Sequence, residues 1–200
     1  MKLIPHTFPI PFLEIQNFYN TEELLLVWDE LEYLKPELRS PKESKGAYDD
    51  NGVQLKLNRS VFLDNIYPNN RQSSKILSLS PKFYTEEIND ELIKLHPFYG
   101  LYSSCNWDHT LISYYEEGNY YKRHKDISVL TSTIFLYKEP KSFEGGEFVF
   151  SDFDYTIEVK NNSGLIIPSC IYHHVNTIRG EGRFSITNFA SINPNVQNVQ

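Results

Sequence analysis

Short β-prone segments, separated by turn residues, fill the C-terminal half of the 200-residue chain from Trp107 onward. In order, they read HTLISYY, YYKRHKD, LTSTIFLY, GEFVFSD, YTIEVK, GLIIPS and RFSITNFAS, with glycine, asparagine, proline or charged residues between them. β-Branched and aromatic residues favour strands, and a regular succession of short strands is typical of an antiparallel sandwich or barrel. The sequence therefore predicts a mainly β domain beginning near residue 107.

The N-terminal half shows helical patterns. NTEELLLVWDELEYL (residues 20–34) has a capping residue, two early glutamates and apolar residues at helical spacing, and Pro36 ends it. FYTEEINDELIKL (residues 83–95) predicts a second amphipathic helix, while segments 11–19 and 53–67 read as short strands. We therefore expect flanking helices packed on a β core.

The length of the chain indicates its domain organisation, and its net charge excludes some classes of partner. Two hundred residues suit one domain, which we divide into an N-terminal support (1–106), a β core (107–191) and a loose tail (192–200). The net charge of -7 and the absence of a dense Lys/Arg run argue against nucleic acid as a partner, because phosphate binding requires a basic field.

The sequence shows no sign of a signal peptide, a membrane-spanning segment or a disulfide framework. The N-terminal MKLIPHTFPIPFLEI lacks a continuous apolar stretch, and the longest apolar-leaning run, ISVLTSTIFLY, falls short of the roughly 20 residues that span a bilayer. Cys105 and Cys170 are isolated, which favours reduced thiols. The sequence predicts a cytoplasmic protein without a membrane partner, and it leaves the oligomeric state open.

Two segments, YYEEGNYYKRHKD (114–126) and IYHHVNTIRGEGRFSIT (171–187), carry side chains that can bind a metal. His124 and Asp126 are two residues apart, so on an extended chain both leave the same face. With His173 on a neighbouring strand they would form the two-histidine, one-carboxylate triad that holds non-haem iron(II) and leaves coordination positions open. The alternative is that all three are ordinary polar residues at strand ends.

Arg183 lies ten residues beyond His173, and its guanidinium could grip a carboxylate through two parallel hydrogen bonds. His174 should point away from the site, because successive strand residues face opposite sides. On the last segment Ser185, Thr187 and Phe189 alternate with Arg183 and should share its inward face.

These segments resemble the 2-oxoglutarate/Fe(II)-dependent oxygenases over residues 107 to 191, on the prolyl-4-hydroxylase-like branch, and are most similar to bacterial PKHD-type hydroxylases. SYYEEGNYYKRHKD resembles that branch's tyrosine, glycine-containing loop, aromatic residue and H-x-D. LTSTIFLYKEPKSFEGGEFVF is similar to its strand, acidic loop and F-x-G-G-E turn. IIPSCIYHHVNTIRGEGRFSI resembles its Pro-Ser, distal His-x-Val, Gly-x-Arg and closing strand. The resemblance implies a double-stranded β-helix, a jelly-roll or cupin-like fold, with N-terminal helices packed on the barrel.

The resemblance also implies roles for single residues. His124, Asp126 and His173 match the iron ligands, and Arg183 matches the residue that pairs with the distal carboxylate of 2-oxoglutarate. Tyr115 matches a tyrosine that helps to hold this cosubstrate, and the pattern His-x-Val again selects His173 rather than its neighbour.

One departure from the pattern affects the cosubstrate pocket. Oxygen-sensing prolyl hydroxylases have a tyrosine at the position of Phe135, so here Thr131 or Thr133 must supply any extra polar contact. We expect Thr133, Ser185 and Thr187 to contact the cosubstrate together with Tyr115.

The activity implied is hydroxylation of a peptidyl residue, with proline as the first candidate, using Fe(II), 2-oxoglutarate and O2 and releasing succinate and CO2. Ascorbate is expected as an accessory reductant. One alternative is the same chemistry on a free amino acid or small metabolite, and a second is a cupin-like protein that binds a metal or ligand without turnover. Residues 37–52 and 65–75 are either a substrate lid or plain surface connectors.

Overall fold

The computed structural model of this protein describes residues 1–44, 47–49 and 51–195. In these ranges its strands are β1 (Lys2–His6), β2 (Phe12–Gln16), β3 (Lys56–Leu57), β4 (Arg59–Phe62), β5 (Trp107–Tyr115), β6 (Tyr120–His124), β7 (Leu130–Leu136), β8 (Phe143–Gly145), β9 (Phe148–Phe150), β10 (Tyr155–Ile157), β11 (Ser163–Pro168), β12 (His173–Val175), β13 (Ile178–Gly180) and β14 (Arg183–Ser191). Its α-helices are α1 (Thr21–Leu34), α2 (Pro41–Ser44), α3 (Leu63–Ile66), α4 (Lys75–Leu79) and α5 (Glu86–Leu95).

The strands form two facing sheets. The larger sheet has the order β1-β2-β11-β7-β14-β5-β4, and the smaller has the order β10-β9-β12-β6-β3. A short ribbon of β13 and β8 extends the structure at one end. Every pairing is antiparallel. This arrangement is the double-stranded β-helix that the sequence predicts.

The outer face of the larger sheet is covered by helices. Helix α1 begins with a reciprocal cap, because the Asn20 side chain accepts from the backbone N–H of Glu23 and the Glu23 carboxylate accepts from the backbone N–H of Asn20. Its apolar face joins Ile134 and Ile186 of the sheet in one buried cluster. Helix α5 packs on β1 and β2 beside it. The apolar burial that stabilises the fold is therefore concentrated outside the barrel.

The space between the two sheets holds a second, largely aromatic core. Phe12, Phe148 and Phe150 are buried there, and the Phe12 and Phe150 rings lie 5.1 Å apart. Some of its members, among them Phe135 and Phe148, line a cavity together with polar residues. The interior of the barrel is therefore partly apolar and partly polar.

The predicted elements are largely found. The helix expected at 20–34 is α1, the one expected at 83–95 is α5, and the strand expected at 11–19 is β2. Segment 53–67 contains β3, β4 and also the helical turn α3. Helix α4 and the edge strand β1 were not predicted. Strand β1 tolerates Pro5 because an edge strand leaves one side of its backbone unpaired.

Parts of the two candidate lid segments can also be described. Residues 45, 46 and 50 of the first segment lie outside the described residues, as do residues 196–200 of the expected tail. Within the second segment Arg71 pairs with Asp64 and, at 2.8 Å, with the Asp108 carboxylate of β5. These ion pairs fix that segment to the barrel, and its role as a lid stays a prediction. None of the described helices has the length and apolarity needed to cross a membrane.

Candidate active site

Three possible metal ligands meet inside the barrel. One donor atom from each of His124, Asp126 and His173 lies within 4.8 Å of the others. His124 Nε2 is 3.8 Å from Asp126 Oδ1, and His173 Nε2 is 3.7 Å from Asp126 Oδ2. Donors at such separations can share one ion at about 2.2 Å from each, which is a usual metal–nitrogen or metal–oxygen distance. The nitrogen and carboxylate donors suit iron(II).

The backbone fixes the tautomer of both imidazoles. His124 Nδ1 donates to the carbonyl of Lys122 at 2.8 Å, and His173 Nδ1 donates to the carbonyl of Ile171 at 2.9 Å. Each ring therefore turns its Nε2 lone pair toward the carboxylate. His124 and His173 are direct partners in the pairing of β6 with β12, which explains why residues 49 apart in sequence face one ion.

Aromatic rings support both imidazoles. Tyr121 stacks on His124 with ring centroids 3.5 Å apart, and Phe148 stacks on His173 at 5.0 Å. Burial, reinforced by the neighbouring His173, lowers the pKa of His124 to about 3. The ring is therefore neutral near pH 7, which is the form that binds a metal.

A hydroxyl chain orients the carboxylate. Thr131 Oγ1 donates to Asp126 Oδ2 at 2.5 Å and lies 2.8 Å from the Ser169 hydroxyl, which in turn lies 2.7 Å from Ser128. The Asp126 backbone N–H donates to the Ser169 carbonyl at 2.9 Å. Burial raises the pKa of the Asp126 carboxyl, and a bound cation would counteract this shift. The serine of the Pro-Ser motif thus acts on the site through Thr131.

Arg183 lies deeper in the barrel, opposite Tyr115 in the pairing of β14 with β5. It is 1% exposed, and its Nε and Nη1 atoms have no hydrogen-bond partner among the described residues. Its guanidinium carbon is 4.5 Å from the centre of the Tyr115 ring and 5.2 Å from that of Phe135. A buried guanidinium with two unused donors leaves polar groups to be satisfied by an anion.

Small polar residues complete the inner cavity between Arg183 and the three possible ligands. The Thr133 and Thr187 hydroxyls lie 3.1 Å apart on neighbouring strands, and Ser185 lines the same cavity. Phe135 also lines it, and Thr131 is engaged with Asp126. All eight site residues expected from the sequence line this one cavity: His124, Asp126, His173, Arg183, Tyr115, Thr133, Ser185 and Thr187.

The glycines of the F-x-G-G-E turn are explained by close packing beside Arg183. Gly146 has φ of +69°, and a Cβ there would lie 2.7 Å from Ile178 Cγ1 and 3.1 Å from Arg183 Cδ. Only glycine fits this position without displacing the arginine stem. The turn therefore serves close packing around the arginine.

His174 is turned away from the cavity. Its Nδ1 lies 2.8 Å from the Ser151 hydroxyl, and it does not line the inner cavity. The two adjacent histidines face opposite sides of the strand, as alternation requires, and His173 is the one that lines the cavity.

Several residues that contribute to the site were not predicted from the sequence. Tyr121 and Phe148 stack on the histidines, and Ser169 orients Asp126 through Thr131. Asn58 is buried, and neither of its side-chain polar atoms has a hydrogen-bond partner in the described part of the chain. Tyr121 and Ser169 lie within the two segments that resemble the oxygenases, so the sequence could have indicated them. Asn58 lies outside these segments, and only the folded structure shows its position.

A second cavity, which we call the outer cleft, opens from the three possible metal ligands to the surface. It has a volume of about 650 Å³ and shares Tyr121, His124, Asp126 and Phe189 with the inner cavity. A molecule lying in the outer cleft would therefore have direct access to an ion held by the triad.

Comparisons with known proteins agree with this geometry. The family model described as the 2OG-Fe(II) oxygenase superfamily matches residues 110–191. No curated protein sequence matches the chain. Among solved structures, the chain is similar to a Pseudomonas putida prolyl-4-hydroxylase, with 13% identity, a TM-score of 0.59 and coverage of 91% of this chain and 92% of that one.

Two further structures share the fold. A Trichoplax adhaerens prolyl hydroxylase, in complex with a hypoxia inducible factor oxygen degradation domain peptide fragment, shows 17% identity and a TM-score of 0.64, covering 90% of this chain and 83% of that one. The viral collagen prolyl hydroxylase of Paramecium Bursaria Chlorella virus-1, in a 2OG complex, shows 13% identity and a TM-score of 0.51, covering 90% and 94%. Residues 110–191, the part of the chain that matches the 2OG-Fe(II) oxygenase superfamily model, contain the three possible metal ligands and the buried arginine.

Proposed function

We propose that this protein is an Fe(II)- and 2-oxoglutarate-dependent dioxygenase that hydroxylates a peptidyl residue, with proline as the first candidate. The match of residues 110–191 to the 2OG-Fe(II) oxygenase model supports Fe(II), 2-oxoglutarate and O2 as the cofactor and cosubstrates. The observation that carries the proposal is the convergence of the three donors and Arg183 on one inner cavity. The expected accessory role of ascorbate stays a prediction.

The roles of single residues follow from their contacts. His124, Asp126 and His173 would hold the iron through Nε2, one carboxylate and Nε2. Arg183 would donate hydrogen bonds to the far carboxylate of 2-oxoglutarate, because its two unused donor atoms need an anion in a site shielded from water. Tyr115, Ser185 and the Thr133–Thr187 pair line the path between these two ends.

Iron(II) and 2-oxoglutarate, when bound, supply the activation of O2. Overall, a substrate C–H becomes C–OH, 2-oxoglutarate becomes succinate and CO2, and one atom of O2 enters each oxidised product. The chain itself contributes position and exclusion of water. The Thr131 hydroxyl holds one Asp126 oxygen, leaving the carboxylate a single orientation, and the Phe135 and Phe148 rings keep the inner cavity dry.

The open form of the outer cleft supports a peptidyl substrate. A free amino acid or other small metabolite would favour a closed pocket, whereas the outer cleft joins the metal-binding residues to the surface. The Trichoplax adhaerens relative in fold is described in complex with a peptide fragment. Both observations favour a polypeptide that lies across the cleft.

The test is to load the protein with iron(II) without oxygen, add 2-oxoglutarate and O2, and measure succinate with peptide and small-molecule panels. We expect succinate formation to rise with peptides, and the oxidised peptide to gain the mass of one oxygen atom. Succinate release with small metabolites alone would redirect the substrate assignment. Metal uptake without succinate under any condition would leave a binding protein and contradict the proposal.

A further inference from the structure

The outer cleft has an apolar wall that neither the metal nor the cosubstrate needs. Phe189, which lines both cavities, faces Phe62 with ring centroids 6.2 Å apart, and Phe62 faces His109 at the same distance. Trp107 continues the row, 5.5 Å from His109. The rings therefore form a continuous row from the inner cavity to the surface.

The side chains of the wall are all aromatic. Trp107 Nε1 donates to His109 Nε2 at 2.6 Å, so these two rings satisfy each other within the wall. The nearby carboxylates of Asp64 and Asp108 are paired with Arg71. Apart from the proposed ligand Asp126, Lys125 is the charged residue that lines the outer cleft within the described part of the chain.

The outer cleft also has an exposed aliphatic side chain. Ile127 directly follows Asp126 and is fully exposed, and Phe62, which lines the same cleft, is 38% exposed. Large apolar side chains left in water around one concave site mark a surface that a partner covers. Their position beside a proposed iron ligand makes the substrate that partner.

We propose that the outer cleft binds a polypeptide segment in which a bulky apolar side chain flanks the oxidised residue, and that this side chain packs between Ile127 and the Phe62 row. The inference rests on the proposed function, which it deepens by naming a feature of the substrate. An acidic or basic side chain at that place would lose its hydration without gaining a partner, apart from Lys125 at the edge.

The experiment uses peptides with one central proline in a Gly/Ser background and a single Leu, Phe, Ser, Glu or Lys beside it. Binding to the iron(II)- and 2-oxoglutarate-loaded protein is measured by fluorescence anisotropy without oxygen, and mass gain and succinate are measured after O2 is added. We expect the Leu and Phe peptides to bind about tenfold more tightly than the Ser peptide, as burial of one apolar side chain allows.

Two variants locate the preference. Ile127→Ser and Phe62→Ser should each remove most of the tenfold difference, and both sites are exposed enough to leave the fold intact. Leu25→Ser on α1, an exposed apolar position on the opposite layer, is the matched control and should keep the full difference.

The outcomes separate this inference from the proposed function. Equal binding of all peptides, no binding of any peptide, preference for Glu or Lys, or a preference that survives both variants would overturn it. Absence of succinate with every substrate would instead contradict the proposed function, and the oxygen-free binding data would still decide the inference.

Discussion

The two faces of strands β5, β7 and β14 differ in role: one packs against the helices and the other lines the inner cavity. Their outward residues, such as Ile112, Ile134 and Ile186, join the apolar layer beneath the helices. Their inward residues, such as Thr133 and Arg183, line the inner cavity. Neighbouring residues on one strand thus belong either to the stability of the fold or to the candidate site, because side chains alternate along a strand.

The largest expected effect is on the inward side. His124→Ala should abolish iron retention and turnover, because two remaining ligands hold iron weakly, while the folded structure is retained. Iron content after oxygen-free loading, succinate formation and circular dichroism check this. His174→Ala is the control, since that ring faces Ser151 instead of the cavity. Full activity of the His124 variant would end the assignment of the iron site.

Substitutions on the outward face should lower the stability of the fold. Ile134→Ala should lower the free energy of unfolding by about 2–5 kcal/mol, because the side chain is fully buried beneath the helices. Its neighbour Thr133→Ala should cost much less stability and should instead weaken cosubstrate binding. Urea unfolding of both variants measures the difference. Equal losses of stability would mean that the two faces are not separable.

Arg183→Met should weaken 2-oxoglutarate binding by about 10- to 100-fold, the usual value of hydrogen bonds to a charged group. Titration of the iron-loaded protein with 2-oxoglutarate and with pyruvate gives the contrast, since pyruvate lacks the far carboxylate and should be unaffected. Arg123→Met, on the exposed side of β6, is the control. A parallel loss for both keto acids would point to a general disruption of the cavity.

Thr131→Val should reduce iron affinity by about tenfold, because the hydroxyl that orients Asp126 is lost while the volume is kept. Competition with a metal-sensitive dye measures the affinity. Thr156→Val on the exposed strand β10 is the matched control. Unchanged affinity would show that the carboxylate is oriented without Thr131.

The smallest expected effect is an increase in stability. Asn58→Leu should raise the free energy of unfolding of the ligand-free protein by up to about 1 kcal/mol, because two buried polar atoms without partners are removed. Asn89→Leu on α5, which is half-buried, should change it less. Calorimetry of both variants tests this, and a loss as large as that of Ile134→Ala would contradict it.

Local patterns carried much of what the sequence could predict. The H-x-D spacing pointed to His124 and Asp126, and strand alternation together with the His-x-Val pattern of the resembling family favoured His173 over His174. Their role as iron ligands stays a prediction. The expected helices and the β core were found because their patterns are local too. The strand β1 was missed because Pro5 obscures the strand pattern.

Other parts of the site depend on contacts between distant segments. Asn58 lies between β3 and β4 and interacts with Tyr115 of the inner cavity, and the row of Phe62, His109 and Phe189 combines three strands. No local pattern marks these residues, because their neighbours become known only with the register of the sheets.

The two ends of the inner cavity belong to different sheets. His124 and His173 stand on the smaller sheet and Arg183 on the larger one. A diacid gripped at both ends must therefore bridge the sandwich, whose sheets are held about 10 Å apart by the side chains between them. We therefore expect the sheet spacing to select the carbon-chain length of the diacid, and a shorter homologue to reach one end or the other but not both.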